Sequence, residues 1–262
     1  MPAPDVPAPD LMDRISPTRR PPGRPAMRQS WRELFFFHWP VEPEALAPLL
    51  PPGLTLDTWQ GTAYIGLVPF TMRGVRPVWA PPVRGLSDFH EVNVRTYVHF
   101  EGRDPGVWFF SLDAANAIAV RLARALWRLP YHFARMHLRR EDDDGTVDYG
   151  SERLWPGPTP GVCRMRARPE GTPTPARPGT LEFFLAERYL LYAFRGGTLY
   201  RGQVYHTPYP LQAARLLSLE NTLVPAAGIG VANPASPALA HYAAGVDVDV
   251  FPLERVRHIP LH

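Results

Sequence analysis

The stretch Phe89-His-Glu-Val-Asn-Val-Arg-Thr-Tyr-Val-His-Phe100 decides the fold. Val92, Val94, Thr96, Val98 and Phe100 recur at every second position, and Glu91, Asn93, Arg95, Tyr97 and His99 fall between them. An extended strand separates two such sets onto opposite faces. After the turn Gly102-Arg-Asp-Pro-Gly106, Val107–Leu112 supplies a partner, so the two segments read as a hairpin-like pair. One face of the first strand is apolar. The other is either solvated, as on many antiparallel sheets, or lines a pocket. Glu, Asn, Arg, Tyr and His form a set able to bind a carboxylate and move a proton, whereas a solvent face favours Thr, Lys, Glu or Ser. If the face is buried, each polar group needs a partner. Glu91 and Arg95 stand ~13 Å apart along a strand, so they flank a ligand rather than pair with each other.

Outward from this strand, Trp31–Trp39 (WRELFFFHW) reads as a buried strand. Val41–Leu50 reads as a short helix closed by Pro51-Pro-Gly53, and Leu54–Asp57 and Ala63–Phe70 as strands. Asp113 is placed to cap a helix running through Arg128, with Ala114, Ile118, Leu122 and Leu126 as its apolar face. Further strands are expected near Thr146–Leu154, Val162–Arg168, Leu181–Leu185, Leu199–Thr207 and Val246–Phe251, and a helix over Leu211–Leu219. In all, about nine to eleven strands and three helices without βα alternation predict a mainly β (α+β) architecture. Its form would be a closed antiparallel β-barrel or strongly curved sheet around a central cavity, with a few outer helices.

The chain has 262 residues and 33 prolines, eight of them within the first 30 positions. A Pro-rich stretch with no aromatic residue buries little, so 1–28 is expected to be a disordered leader before a single domain over 29–262. All 28 basic residues are arginine. No side chain can therefore form a Schiff base. The lone Cys163 excludes an internal disulfide and reads as a small buried hydrophobe. No apolar run spans a bilayer and the leader has no signal-peptide core, so a cytoplasmic location is the default and no membrane partner is expected.

Nucleotide-binding glycine motifs and the GxSxG nucleophile turn are missing, and the nine histidines show no metal-ligand spacing. No cofactor and no metal are expected. The arginines are scattered and offset by acids, which argues against nucleic acid.

Five segments resemble the uncharacterised YqjF-like family, domain of unknown function 2071. They are Phe89–Val98, Gly106–Ala114, Leu129–Ala134, Glu187–Tyr192 and His206–Leu211, within a resemblance running from about Trp31 to Leu253. It implies a fold similar to the acetoacetate decarboxylase superfamily. Those enzymes carry a stretch close to REIWGFPKKFA, whose first lysine of the pair makes the Schiff base. Here the stretch reads Arg124-Ala-Leu-Trp-Arg-Leu-Pro-Tyr-His-Phe-Ala134. Tyr131 stands where that lysine would be, His132 where the second would be, and Glu91 loosely matches a catalytic glutamate. The fold analogy survives; the imine chemistry does not.

The expected site thus has Glu91 as general acid or base and Tyr131 or His132 as the group that polarises an oxygen or returns the proton. Arg95 would grip a carboxylate, with Asn93, Tyr97, Trp108, Phe110 and Arg124 completing the ligand site. Three functions stay open. One is a lysine-independent lyase or isomerase acting on a small carboxylate or carbonyl compound. The others are a non-catalytic small-ligand binder and a protein-interaction module. Homo-oligomerisation is left open. Glu187 and Arg188 read as a structural pair, and strand alternation puts Val204 and His206 on one face of unassigned direction.

Overall fold

The computed structural model describes residues 7–258 except 128, 142 and 158. Strands β1 (Met27–Val41), β2 (Thr55–Leu56), β3 (Ala63–Pro77), β4 (Phe89–Phe100) and β5 (Arg103–Ala114) form the first half of the sheet. Then come β6 (Tyr131–Arg140), β7 (Val147–Trp155), β8 (Val162–Thr174), β9 (Leu190–Arg195) and β10 (Thr198–Tyr205). The last are β11 (Leu211–Asn221), β12 (Leu239–Val250) and β13 (Glu254–His258). The helices are α1 (Leu11–Ile15), α2 (Pro43–Leu46), α3 (Ala117–Leu126), α4 (Leu181–Ala186) and α5 (Leu223–Ala226).

All thirteen strands belong to one sheet, ordered β13-β10-β9-β5-β6-β7-β8-β11-β12-β1-β3-β4-β2. It curls until strands distant in that order meet again, β4 on β5 and β10 on β12. The pairings are antiparallel except where β5 runs parallel to β6 and β9. Gly106 admits the last of these, since a Cβ there would lie 2.7 Å from the Leu190 carbonyl.

β4 separates two apolar clusters. Val92 and Val94 pack with Phe35, Phe37, Leu67, Tyr149 and Met165 on one face. On the other, Leu34, Phe36, Phe70, Tyr189 and Tyr209 close over the polar set. The aromatic run of β1 feeds both clusters, because alternate residues point opposite ways. Cys163 is buried, and burial pushes its thiol up to about 12.

Three local expectations are corrected. Leu211–Asn221 is strand, not helix: its Ala, Leu, Gln and Arg favour a helix, but β8 and β12 supply ladder partners on both sides. Leu181–Ala186 is helix, not strand. Thr180 caps it by accepting from the Phe183 N–H at 3.3 Å, and a short, largely apolar run carries no period to tell the two apart. Asn116 rather than Asp113 caps α3, accepting from the N–H groups of Ile118 and Ala119. Only Val120 of α3 is buried, so the stripe Ile118, Leu122 and Leu126 faces outward.

The leader expectation also changes over the described part. Asp10 caps α1 through a capping box, and Pro9 and Pro17 are buried. Gln203 donates to the Pro17 carbonyl at 2.9 Å, and Arg14 reaches the fully buried Asp57. Proline lowers the entropy lost on ordering, and one deep ionic anchor fixes the segment. Residues 1–6 of the expected leader lie outside the described residues. Among the described residues no helix is long and apolar enough to cross a membrane.

Candidate active site

The polar face of β4 is buried throughout: Glu91, Asn93, Arg95, Tyr97 and His99 are all nearly inaccessible. The solvated reading of that face is thereby excluded. Side by side in the ladder, Glu91 faces Phe70 and Ala114, Asn93 faces Val68 and Leu112, and Arg95 faces Gly66. Gly66 makes room, since a Cβ there would lie 3.3 Å from the His38 ring and 3.4 Å from Arg95 Cγ.

Tyr131 opens β6 beside Leu112 of β5, and its hydroxyl donates to Glu91 Oε2 at 3.0 Å. Burial is the largest influence on the Glu91 carboxyl; the Tyr131 donor opposes it and the Asp113 carboxylate adds to it. The result is a pKa raised to about 8. Burial, and then Glu91 itself, hold the Tyr131 phenol well above its ordinary value, so it remains a neutral donor. A carboxyl poised near neutrality beside a fixed hydroxyl can carry a proton in either direction.

Farther along the strand, Arg95 donates from Nη2 to the Leu185 carbonyl at 3.1 Å, at the end of α4. Tyr97 donates to the same carbonyl at 2.8 Å and lies 2.7 Å from His38 Nε2. Tyr97 therefore accepts from a His38 Nε2–H, consistent with burial holding that imidazole well below its ordinary pKa. Among the described residues no carboxylate lies within ion-pair distance of Arg95. Arg188 differs: with Arg14 it shares Asp57, at 2.7 Å. Burial works to raise the Asp57 carboxyl, but the two guanidiniums outweigh it and leave its pKa lowered. The expected Glu187–Arg188 pair is therefore not formed. Glu187 instead accepts from the Tyr189 hydroxyl at 2.6 Å and the Tyr209 N–H at 2.9 Å.

The side chains over β4 trace a ring. Arg95 lies over Phe36, Phe36 meets Tyr209, Tyr209 meets His206, His206 meets Trp31, and Trp31 meets Phe70, the ladder neighbour of Glu91. These rings pack over the polar face of β4. His206 points to this side and stacks on Tyr189 at 4.3 Å. Its Nδ1 donates to the Thr207 carbonyl, and burial lowers its pKa to about 4. Four buried polar atoms of the ring and its floor find no partner among the described residues: Asn93 Oδ1, Arg95 Nε, His206 Nε2 and Trp31 Nε1. Sequence reasoning assigned no role to Trp31 or Tyr209. His206 was visible as one of two alternating sets, but its direction was not.

Other expected site residues lie elsewhere. Consecutive positions of β6 point oppositely, so His132 turns away from Glu91 and sits beside Asp113. Phe110 lines a separate cavity with it. Trp108 pairs with Thr96, on the far face from Arg95, and packs around Val98 and Tyr192. Arg124 donates to the Tyr131 backbone carbonyl at 2.6 Å and lies over Trp155, bracing α3 against β6 rather than facing the ring. Among the described residues no cluster of three or more His, Cys, Asp or Glu side chains could hold a metal ion.

The chain belongs to the DUF2071 family, described as an uncharacterized conserved protein, whose sequence pattern matches residues 28–247. It is 38% identical over 235 residues to the uncharacterized protein YqjF of Bacillus subtilis, covering 90% of this chain and 94% of that one. Among solved structures it resembles the acetoacetate decarboxylase of Legionella pneumophila, with a TM-score of 0.61, 15% identity and 98% of each chain covered. It also resembles the enduracididine biosynthesis enzyme MppR complexed with the condensation product of pyruvate and imidazole 4-carboxaldehyde. That match has a TM-score of 0.60 and 15% identity, covering 89% of this chain and 90% of the other. At such identities the likeness establishes a shared fold, an acetoacetate-decarboxylase-like one.

Proposed function

We propose that this DUF2071 protein is an acid–base enzyme for a small carboxylate or carbonyl compound, working without a Schiff base. The observation that carries the reading is the pairing, on one face of β4, of a neutral carboxyl with a guanidinium that has no counter-ion. Glu91 is buried and bonded to Tyr131; Arg95 is buried and, among the described residues, has no carboxylate within ion-pair distance. A buried guanidinium of this kind is costly unless an anion joins it.

Arg95 holds the substrate carboxylate through charge-assisted hydrogen bonds, its free Nε providing one donor. Asn93 Oδ1, midway along the strand, accepts from a substrate N–H or O–H. The reacting end lies toward Glu91. With a pKa of about 8, roughly one Glu91 in ten is ionised at neutral pH, and the rest carry the proton to be delivered. Glu91 removes or returns a proton on carbon, and the Tyr131 hydroxyl stabilises whichever charge form results. Enolisation, tautomerisation or dehydration fits this set. The ligand in the MppR complex, a pyruvate condensation product, supports a small oxo acid as the substrate class in this fold.

The test is hydrogen–deuterium exchange at the carbon next to the carbonyl of small 2-oxo acids in D2O, followed by mass spectrometry. A metabolite extract screened for converted species runs in parallel. Exchange present in the parent and lost in Glu91→Gln, with binding kept, is expected; Arg95→Met should lose both. Exchange indifferent to Glu91→Gln overturns the assignment. Retention of a compound that neither protein alters would instead make this a ligand-binding protein.

A further inference from the structure

On the far face of the sheet from Glu91 the structure opens a cavity of about 170 Å³. Phe110, Ser111, His132, Arg153, Ala226 and Ala227 contribute its walls. Their side chains lie away from the Glu91–Tyr131 pair, because Ser111, Asp113 and His132 occupy the opposite side of β5 and β6.

Three features give the cavity its chemistry. Arg153 is locked to the fully buried Asp113 by two bonds, Nε to Oδ1 at 2.6 Å and Nη2 to Oδ2 at 2.8 Å. The pair is neutral as a unit, so a further charge brought in would remain uncompensated. His132 Nδ1 is buried and, among the described residues, has no hydrogen-bond partner; burial, and then the Arg153 charge, lower the pKa of the ring. A neutral imidazole nitrogen is either an N–H donor or a bare acceptor, and a hydroxyl can serve it in both forms. The Ser111 hydroxyl is buried and likewise has no partner among the described residues. The His132 ring, Ser111 and Thr159 on one hand and Phe110, Ala226 and Ala227 on the other therefore surround a space that is part polar and part apolar. A space of about this volume accommodates one six-membered ring.

We propose that this cavity is a second ligand site, taking a neutral, ring-sized molecule that bears a hydroxyl group. The hydroxyl hydrogen-bonds both His132 Nδ1 and the Ser111 hydroxyl, and the ring lies against Phe110 and the two alanines. The site stands independently of the Glu91 chemistry.

Phenol is the probe, with benzoate and benzene as the charged and hydroxyl-free comparisons. The methyl NMR signals of labelled Ala226 and Ala227 should shift on adding phenol to the full chain, saturably and more tightly than with either comparison. His132→Phe keeps the ring shape and removes the ring nitrogen, so it should weaken phenol about tenfold. Ala226→Trp should fill the space and abolish binding. Phenol that leaves both methyl signals in place overturns the proposal. So does phenol binding that is unchanged by His132→Phe, or that is lost instead in Arg95→Met.

Discussion

Replacing Glu91 by glutamine should make the protein more stable at alkaline pH while removing its chemistry. In the folded chain the Glu91 carboxyl titrates at about 8, against an ordinary value of 4.5. The folded state therefore holds a proton that the unfolded state has released throughout the window between those values. Stability must fall as pH rises through that window, by about 1.4 kcal/mol for each pH unit crossed. Across the whole window the loss amounts to roughly 3–5 kcal/mol, with no reduction for solvent screening because the group is fully buried. Below the ordinary value the burden is absent, since both states are protonated. Glutamine keeps the shape and accepts from Tyr131 but does not titrate. The stability difference between Glu91→Gln and parent should thus be flat below pH 4.5, climb in the variant's favour toward pH 8, and level off above it. Urea unfolding of both proteins at half-unit pH steps measures this directly, because all other titrating groups cancel in the difference. A difference that stays constant from pH 5 to pH 9 would refute the reasoning: it would mean that Glu91 is already ionised in the folded state.

The remaining predictions concern neighbouring groups. Tyr131→Phe removes the donor that holds the Glu91 pKa down, so the pH midpoint of proton exchange should move upward, at a stability cost of about 1 kcal/mol. Arg95→Met should raise stability by about 1–2 kcal/mol in denaturant titrations, yet weaken carboxylate binding at least about 100-fold by calorimetry. Asp57→Asn strands two guanidiniums and should cost about 3–5 kcal/mol in urea unfolding, much of it recovered when Arg188→Met is added. Because the Asp57 pKa is lowered, its contribution is complete above the ordinary carboxylate range and fades as pH falls through the folded value. Gly106→Ala places a methyl against the Leu190 carbonyl and should destabilise by about 2–4 kcal/mol, seen as a lowered Tm.

By itself the sequence determined what depends on neighbours along the chain. Alternation in Phe89–Phe100 is a period-two signal that no other element produces, so the strand, its two faces and the candidacy of Glu91 and Arg95 were legible from the residues. The absence of lysine fixed the firmest chemical exclusion without any geometry. The match of Leu129–Ala134 pointed to Tyr131, but not to the hydroxyl bond that joins it to Glu91. What tertiary structure decided was everything set by contacts distant in sequence. Whether the polar face meets water or protein depends on α4 and on rings from β1 and the β10–β11 connection, which no local pattern reports. Leu211–Asn221 became strand only because β8 and β12 lie beside it, and Arg14 became ordered only because Asp57 waits buried, 43 residues on. The outward apolar stripe of α3 shows the same limit: amphipathicity names a face, while packing chooses its direction. His132 was separated from Tyr131 by the simplest rule of all, since adjacent strand residues point apart, but that rule applies only once the segment is known to be a strand.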